Sequence, residues 1–185
     1  MIGVLVSGSG SNLQALVDAG LPVVAVASNR PGVYALERAA RAGIATGTFE
    51  LGRYPDRAAR DLAMADWLEG RGVRLVVCAG YMHLLTTEFL ARFPRRVVNV
   101  HPSLLPAFPG ARAIADALAA GVSVTGVTVH EVDTGLDTGP ALAQEAVPIH
   151  PGDSEATLLE RVHAVEHRLL PAVVRQLADR LDSRP

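Results

Sequence analysis

Two polar side chains, Asn99 and His101, lie near the end of VVNVHP, a segment that otherwise has the composition of a buried strand. Strand side chains alternate between the two faces of a sheet, so both residues point the same way, with Cα atoms about 6.6 Å apart. A side-chain amide can donate to a developing oxyanion, and an imidazole is the usual proton carrier near neutral pH. A lone histidine at a strand end is more often structural, but the asparagine beside it favours a catalytic pair.

A charged partner for this imidazole is available in the glycine-punctuated segment DTGLDTGP, which contains Asp133 and Asp137. Loop aspartates commonly form turns with their own backbone, and this is favoured for Asp133 because a threonine and a glycine follow it. Spacing along the sequence does not decide which aspartate reaches His101. The glycines at 135 and 139 predict a mobile loop.

A third candidate site is SGSGSN, residues 7–12, between an apolar strand and an amphipathic helix. Backbone N–H groups at a helix start, with glycines that allow close approach, form an anion site. The segment is a poor dinucleotide fingerprint, because the third glycine would fall at Leu13. No acidic residue ends the second strand, and a P-loop needs a lysine. The turn is either an ordinary strand-to-helix connection or a site for a small phosphate monoester.

The secondary structure that positions these residues can be predicted from the rest of the sequence. Short valine-rich segments alternate with longer segments rich in alanine, leucine and arginine. Near-continuous apolar runs of this kind are typical of parallel strands covered on both faces. The alternation predicts an α/β protein with right-handed crossovers and helices on both faces of a mostly parallel sheet. The predicted strands span residues 2–6, 22–28, 74–79 and 96–100, with a short one over 44–49, and the helices span 11–20, 33–43 and 56–70.

The pattern changes after Gly110. A short helix is predicted over 111–121, followed by strands over 124–132 and 140–149 whose connection permits antiparallel pairing. A long final helix is predicted over 153–181, capped by Asp153 or Ser154 and bent or divided at Pro171. We see no repeat and no second domain, so residues 1–185 are expected to form a single domain.

Composition limits the classes of function. The chain has 185 residues, 49% hydrophobic and 19% charged, with a net charge of −2 and no basic stripe, so no nucleic-acid partner is expected. All 17 basic residues are arginine, which excludes lysine chemistry, and Cys78 is the only cysteine. Because there is no signal-peptide pattern and no run of about 20 apolar residues, no membrane contact is expected and the cytoplasm is the predicted location.

Three stretches together, VSGSGSNLQAL, NVHPSLLPAFPG and GVTVHEVDTGLDTGP, resemble the phosphoribosylglycinamide formyltransferase family, folate-dependent enzymes of purine biosynthesis. The resemblance runs over residues 2–171. NVHPSLLP followed by LDTGP at this distance marks the formyltransferase superfamily, and the glycine-rich turn and the length favour this member. The resemblance implies a single-domain, Rossmann-like formyltransferase fold with antiparallel strands in its C-terminal part.

The family's catalytic residues match Asn99, His101 and Asp137, so the resemblance selects Asp137 as the partner of the imidazole. It implies that the amine of glycinamide ribonucleotide attacks the formyl carbon of the cosubstrate 10-formyltetrahydrofolate. Asn99 and protonated His101 would stabilise the oxyanion, while Asp137 would stabilise the imidazolium and help relay the amine proton. No metal, nicotinamide or covalent enzyme intermediate is expected.

The resemblance also implies binding residues. Similar enzymes hold the ribonucleotide through residues that match Gly10, Ser11, Asn12 and Glu166, although from the sequence alone Glu166 is predicted to face solvent. The segment GYMHLL, residues 80–85, matches the folate-binding loop, and residues 133–137 would close the pterin pocket. The implied folate contacts are Arg57, Met82, His83, Leu84, Leu85, Asn99, Asp133, Thr134, Gly135, Leu136 and Asp137.

Some positions depart from the family pattern. His83 stands where arginine or lysine is usual, Arg112 where histidine is common, and His163 where a glutamine helps to bind the ribonucleotide. The sequence ends at Pro185, so the final hairpin of many relatives is expected to be absent. These differences are expected to affect substrate affinity more than the type of reaction.

Three alternatives compete with this interpretation. Methionyl-tRNA formyltransferase needs a C-terminal tRNA-binding domain and a more basic surface, and formyltetrahydrofolate hydrolase needs an N-terminal regulatory domain; neither is expected here. An NADP-binding module would use SGSGSN with Arg30 at the ribose phosphate. Leu13 argues against such a module, and so does the absence of any role in it for Asn99, His101 and Asp137. Either a monomer or a homodimer is compatible with the sequence.

Overall fold

The computed structural model describes residues 1–183. Its strands are β1 (Ile2–Val6), β2 (Val23–Ser28), β3 (Ala45–Thr48), β4 (Leu75–Cys78), β5 (Val97–His101), β6 (Val124–Glu131) and β7 (Ala141–Pro148). Its helices are α1 (Ser11–Asp18), α2 (Tyr34–Arg41), α3 (Arg57–Glu69), α4 (Thr87–Arg92), α5 (Ala113–Ala119) and α6 (Glu155–Asp182), with a 3-10 turn at Leu51–Arg53. The seven strands form one sheet in the order β3-β2-β1-β4-β5-β6-β7.

Strands β1 to β5 pair in parallel, and β6 runs antiparallel to both of its neighbours. The predicted α/β class is therefore confirmed, including the short strand near residues 44–49 and the antiparallel C-terminal pair. In the register of β5 with β6, Asn99 lies opposite His130 and His101 lies opposite Thr128. This register brings a second histidine to the end of β5.

Apolar side chains on the two faces of the sheet form two core clusters. On β1, Val4 belongs to the cluster covered by α1 and α6, and Leu5 belongs to the cluster covered by α3 and α4. Met64 and Phe89, from these last two helices, are fully buried. Each large apolar side chain buried in this way stabilises the fold by roughly 1.5–3 kcal/mol. The carboxyl ends of the central strands are thus held from both sides.

Helix α6 begins with a capping box. The Ser154 hydroxyl accepts a hydrogen bond from the backbone N–H of Thr157 at 3.2 Å, and the Thr157 hydroxyl accepts one from the Ser154 N–H at 3.0 Å. Of the two outcomes predicted at Pro171, a bend or a division, the division is wrong, because α6 continues through this residue. No helix within residues 1–183 combines the length and apolar character needed to span a membrane.

The sequence pattern gave no helix for residues 87–92, where α4 lies. Its signal is a threonine cap: the Thr86 hydroxyl accepts a hydrogen bond from the backbone N–H of Phe89 at 3.4 Å. The helix is six residues long, too short for an apolar period to stand out.

Candidate active site

The strand order changes direction between β1 and β4, and open α/β sheets bind ligands at the carboxyl end of such a switch point. The loops that follow these strands are joined here. The Ser7 N–H donates to the Gly80 carbonyl at 3.1 Å, and the Ser7 hydroxyl accepts from the Met82 N–H at 2.9 Å. The cleft above them has a volume of about 440 Å³, within the range of small-molecule sites.

The turn after β1 requires glycine at position 10. Gly10 has φ +75°, and a Cβ there would lie 2.6 Å from the Cβ of Ala35. It directly precedes α1, whose first-turn N–H groups have no intrahelical acceptor. Ser11 and Asn12 from this turn line the cleft. The positive end of the helix and its unpaired donors suit a phosphate group.

Asp137 lies at the centre of a polar cluster at the end of β5. Its Oδ2 lies 3.3 Å from Nδ1 of His101 and accepts a hydrogen bond from the Gly110 N–H at 2.8 Å. Its Oδ1 accepts from Nδ2 of Asn99 at 3.4 Å. The contact with the His130 ring, followed by the hydrogen bond from the Gly110 N–H, lowers the pKa of Asp137 against the opposing effect of burial. The carboxylate is therefore ionised near neutral pH.

His101 is buried, and each of its ring nitrogens faces an acceptor. Nε2 lies 2.8 Å from the carbonyl oxygen of Phe108, and a carbonyl only accepts, so Nε2 carries a hydrogen. Nδ1 faces the carboxylate of Asp137. A doubly protonated ring satisfies both acceptors, whereas a neutral ring satisfies only one. Both ring nitrogens thus have an acceptor within reach, and one of these acceptors is a carboxylate.

Sequence reasoning missed His130, which is 2% exposed and lies opposite Asn99. Its Nδ1 lies 2.9 Å from the Glu131 carbonyl and so carries a hydrogen. In the neutral ring, Nε2 accepts from Nδ2 of Asn99 at 3.2 Å, and Oδ1 of Asp137 lies 3.5 Å away. The only sequence signal is a histidine within the apolar segment VTVHEV. His130 reaches Asn99 because of the register between β5 and β6, and the sequence of this segment does not reveal that register.

Asp133 does not join this cluster. Its Oδ1 accepts hydrogen bonds from the Gly135 N–H at 3.0 Å and from the Thr138 hydroxyl at 2.7 Å, as a turn-forming aspartate does. The loop glycines have a steric cause in addition to any mobility. A Cβ on Gly135 would lie 2.0 Å from the Thr138 hydroxyl oxygen, and one on Gly139 would lie 1.9 Å from the Glu131 carbonyl oxygen.

Most of the residues matched to folate binding line the cleft. Met82, Leu84 and Leu136 line the cleft with exposed side chains, and Met82 is 64% exposed, so they form an apolar rim that a ligand can cover. Leu85 also lines the cleft but is buried. Arg57 lies behind the rim and donates to the Leu84 carbonyl. Within the described residues, the cleft lining includes neither Arg57 nor Thr134.

Glu166 is 5% exposed, so the prediction that it faces solvent is wrong. Its Oε2 accepts a hydrogen bond from Nδ2 of Asn12 at 2.9 Å, which joins α6 to the glycine-rich turn. Burial raises the pKa of Glu166 to about 7, and the bond from Asn12 opposes this shift. A carboxylate at this place can receive a cationic or hydrogen-bonding amine from a ligand in the cleft.

A model of the formyl transferase family matches residues 1–174. A curated phosphoribosylglycinamide formyltransferase from Mycobacterium tuberculosis is 49% identical over 180 residues, which cover 95% of this chain and 83% of that protein. The chain belongs to the phosphoribosylglycinamide formyltransferase family. The human trifunctional purine biosynthetic protein adenosine-3 is 42% identical over 96% of this formyltransferase, which matches 18% of that longer protein.

Solved structures give the same result. The crystal structure of glycinamide ribonucleotide transformylase 1 from Symbiobacterium toebii has a TM-score of 0.94 at 47% identity, covering 96% of this formyltransferase and 87% of that chain. The phosphoribosylglycinamide formyltransferase from Bacillus halodurans has a TM-score of 0.92 at 40% identity, covering 95% and 94%. The fold is therefore the formyltransferase fold.

Of the three residues that differ from the family pattern, two lie at the cleft of this formyltransferase. His83 and His163 line it, whereas Arg112 is exposed and lies 3.7 Å from Asp116. The His163 ring stacks on that of His167 with centroids 5.7 Å apart, and burial lowers the pKa of His163. Among residues 1–183 no group of three or more His, Cys, Asp or Glu side chains is arranged to hold a metal ion.

Proposed function

We propose that this protein transfers the formyl group of 10-formyltetrahydrofolate to the amine of glycinamide ribonucleotide, a step of purine biosynthesis. Membership of the formyltransferase family supports the reaction type. The observation that carries the proposal is the convergence of Asn99 and His101 on the Asp137 carboxylate, which each approaches to within 3.4 Å on one side of the cleft. Both substrates are small molecules, and neither a nucleic acid nor a membrane takes part.

In the proposed reaction, the amine nitrogen attacks the formyl carbon and produces a tetrahedral oxyanion. Collapse of this intermediate breaks the bond between the formyl carbon and the folate nitrogen, while the attacking amine loses a proton and the folate nitrogen gains one. A single well-placed donor to an oxyanion typically lowers the barrier by about 3–4 kcal/mol. Asn99 and the His101 imidazolium are the donors proposed for this role.

The resting geometry supports a specific exchange of hydrogen bonds. Nδ2 of Asn99 keeps its 3.2 Å contact with His130 and exchanges the longer contact with Asp137 for the oxyanion. Nε2 of His101 exchanges the Phe108 carbonyl in the same way. Asp137 retains the charge that stabilises the imidazolium, and with a water molecule it relays the proton from the amine.

The two substrates are proposed to occupy opposite ends of the cleft. The phosphate of the ribonucleotide would accept hydrogen bonds from Gly10, Ser11 and Asn12, which places its glycinamide group near Glu166. The pterin would lie against the apolar rim of Met82, Leu84 and Leu136, with the loop of residues 133–137 beside it. The folate is a cosubstrate, and no metal is part of the proposal.

We further expect one domain over residues 1–185, a cytoplasmic location, and a monomer or homodimer.

The function is tested with a spectrophotometric assay that follows deformylation of 10-formyltetrahydrofolate with and without glycinamide ribonucleotide. Strict dependence on the ribonucleotide supports transfer, whereas equal rates in its absence would identify a hydrolase instead. Tight binding of NADP at the glycine-rich turn would instead favour an NADP-binding module.

A further inference from the structure

A fully buried ion pair holds the loop of residues 80–86 from behind. Nε of Arg60 donates to Oδ1 of Asp61 at 2.6 Å, and both side chains are 0% exposed. Oδ2 of Asp61 accepts from the Thr86 N–H at 2.9 Å, so the pair fixes the end of the loop. Desolvating two charges is costly, and the proposed chemistry does not by itself require a buried arginine here.

Arg60 also reaches His83, which lines the cleft. Its Nη1 lies 3.4 Å from Nδ1 of His83. A guanidinium has only donors and stays charged, so Nδ1 must be the acceptor and carries no hydrogen. The single hydrogen of the neutral ring is therefore on Nε2. No residue among 1–183 forms a hydrogen bond with this Nε2–H, which leaves it available to a ligand.

The surroundings of His83 keep its ring neutral. Burial, then the charges of Arg60 and Arg57, lower the pKa of His83, and Asp61 opposes them. The ring of Tyr81 packs against it with centroids 5.9 Å apart. A protonated ring would also place an Nδ1–H against the guanidinium, where two donors meet.

Arg60 divides its donors between two partners. Nε donates to Asp61 and Nη1 faces His83, whereas Nη2 has no protein partner in the part of the chain that the structure describes. The guanidinium therefore connects the buried Asp61 carboxylate to the imidazole that lines the cleft.

We propose that Arg60 is a positioning residue that holds His83 in its Nε2–H tautomer, and that this N–H donates one uncharged hydrogen bond to a carbonyl or ring-nitrogen acceptor of the folate. The inference rests on the proposed function, because it takes the folate as the ligand at this end of the cleft. An uncharged donor selects for an acceptor: a ligand with a donor at that place would leave two N–H groups facing each other.

The first test is nitrogen-15 NMR of the histidine rings in the free wild-type protein, with the His83→Gln spectrum used to assign the signal. We expect a neutral ring with Nδ1 unprotonated at pH 7.5, and a shift of the Nε2–H signal on addition of 10-formyltetrahydrofolate. A hydrogen on Nδ1, or an Nε2–H signal that folate does not move, would overturn the inference. Because the tautomer is measured without substrates, it can fail or hold independently of formyl transfer.

The second test is Arg60→Lys, which keeps a positive charge beside Asp61 but removes the nitrogen that faces His83. We expect a mixture of tautomers and a KM for the folate raised roughly three- to tenfold, as the loss of one neutral hydrogen bond predicts. The KM for the ribonucleotide should stay constant, and kcat should change less than the folate KM. His150→Gln, at an exposed histidine, is the matched control. An unchanged tautomer and folate KM in folded Arg60→Lys would contradict the proposal.

Discussion

Nδ1 of His101 lies 3.3 Å from Oδ2 of Asp137, although the first residue ends a parallel strand and the second belongs to a loop between antiparallel strands. The same carboxylate accepts the Gly110 N–H at 2.8 Å and faces Asn99. One carboxylate therefore both faces the imidazole of His101 and holds the backbone at Gly110, which follows β5, against the loop of residues 133–137. Positioning and electrostatics depend on the same group here.

Asp137→Asn should lower kcat by about 100-fold or more, because the amide leaves the His101 imidazolium without a counter-charge next to the forming oxyanion. KM values should change little. The matched control is Asp133→Asn in the same loop, since asparagine also forms the turn that Asp133 makes. Steady-state kinetics of both variants decide the issue, and equal losses of kcat would show that loop structure alone was affected.

His130→Phe should lower kcat about tenfold with little change in either KM. The variant removes the acceptor at Nε2, so the Asn99 amide loses the contact that fixes its orientation, a loss of about 1–2 kcal/mol. His130→Gln should recover part of the rate, because its side-chain carbonyl can accept the same hydrogen bond. Full activity of His130→Phe, with an unchanged melting temperature, would exclude this positioning role.

Gly10→Ala should destabilise the protein by about 2 kcal/mol or more and raise the KM for the ribonucleotide. A Cβ at φ +75° is strained and meets both Cβ and Cα of Ala35 within 2.8 Å. Gly8→Ala in the same turn has no heavy atom within 4 Å of the added Cβ and serves as the control. Urea unfolding measures both, and a larger effect at Gly8 would contradict the packing argument.

Glu166→Gln should stabilise the protein at pH 8 by on the order of 1–3 kcal/mol while raising the KM for the ribonucleotide. The folded-state pKa of about 7 exceeds the ordinary 4.5, so the unfolded chain loses its proton first as pH rises. Stability therefore falls between these values, and the full cost remains above pH 7. At pH 4.5 the gain should be small.

The control for this prediction is Glu160→Gln, at an exposed glutamate of the same helix. Its unfolding free energy should follow that of the wild type at both pH values. If Glu166→Gln gave the same change at pH 4.5 as at pH 8, the carboxyl would not be ionising within the proposed range.

Local patterns in the sequence predicted most of the strands and helices of the fold. Continuous valine runs predict β1, β2, β4 and β5 because parallel strands are buried on both faces. The shared face of Asn99 and His101 follows from strand alternation. Helix α4 was missed because a helix of six residues is too short to show a periodic pattern of apolar side chains.

Long-range pairing explains what the sequence did not predict about the site. His130 reaches Asn99 only through the register of β5 with β6, which a single sequence does not specify. Glu166 looks like a surface residue on α6 and is buried because Asn12 and the glycine-rich turn cover it. Spacing along the chain did not decide between Asp133 and Asp137. The family resemblance selected Asp137, and the path of the loop places its carboxylate beside His101 while Asp133 forms a turn.

The most direct test of the central claim is single-turnover formyl transfer from 10-formyltetrahydrofolate to glycinamide ribonucleotide by wild-type protein and by His101→Ala. Circular dichroism and melting temperature establish that the variant is folded, with His150→Ala as the control at an exposed histidine. We predict a chemical step at least about 100-fold slower in His101→Ala, with both substrates still bound. A folded His101→Ala protein that transfers the formyl group at close to the wild-type rate would contradict the account.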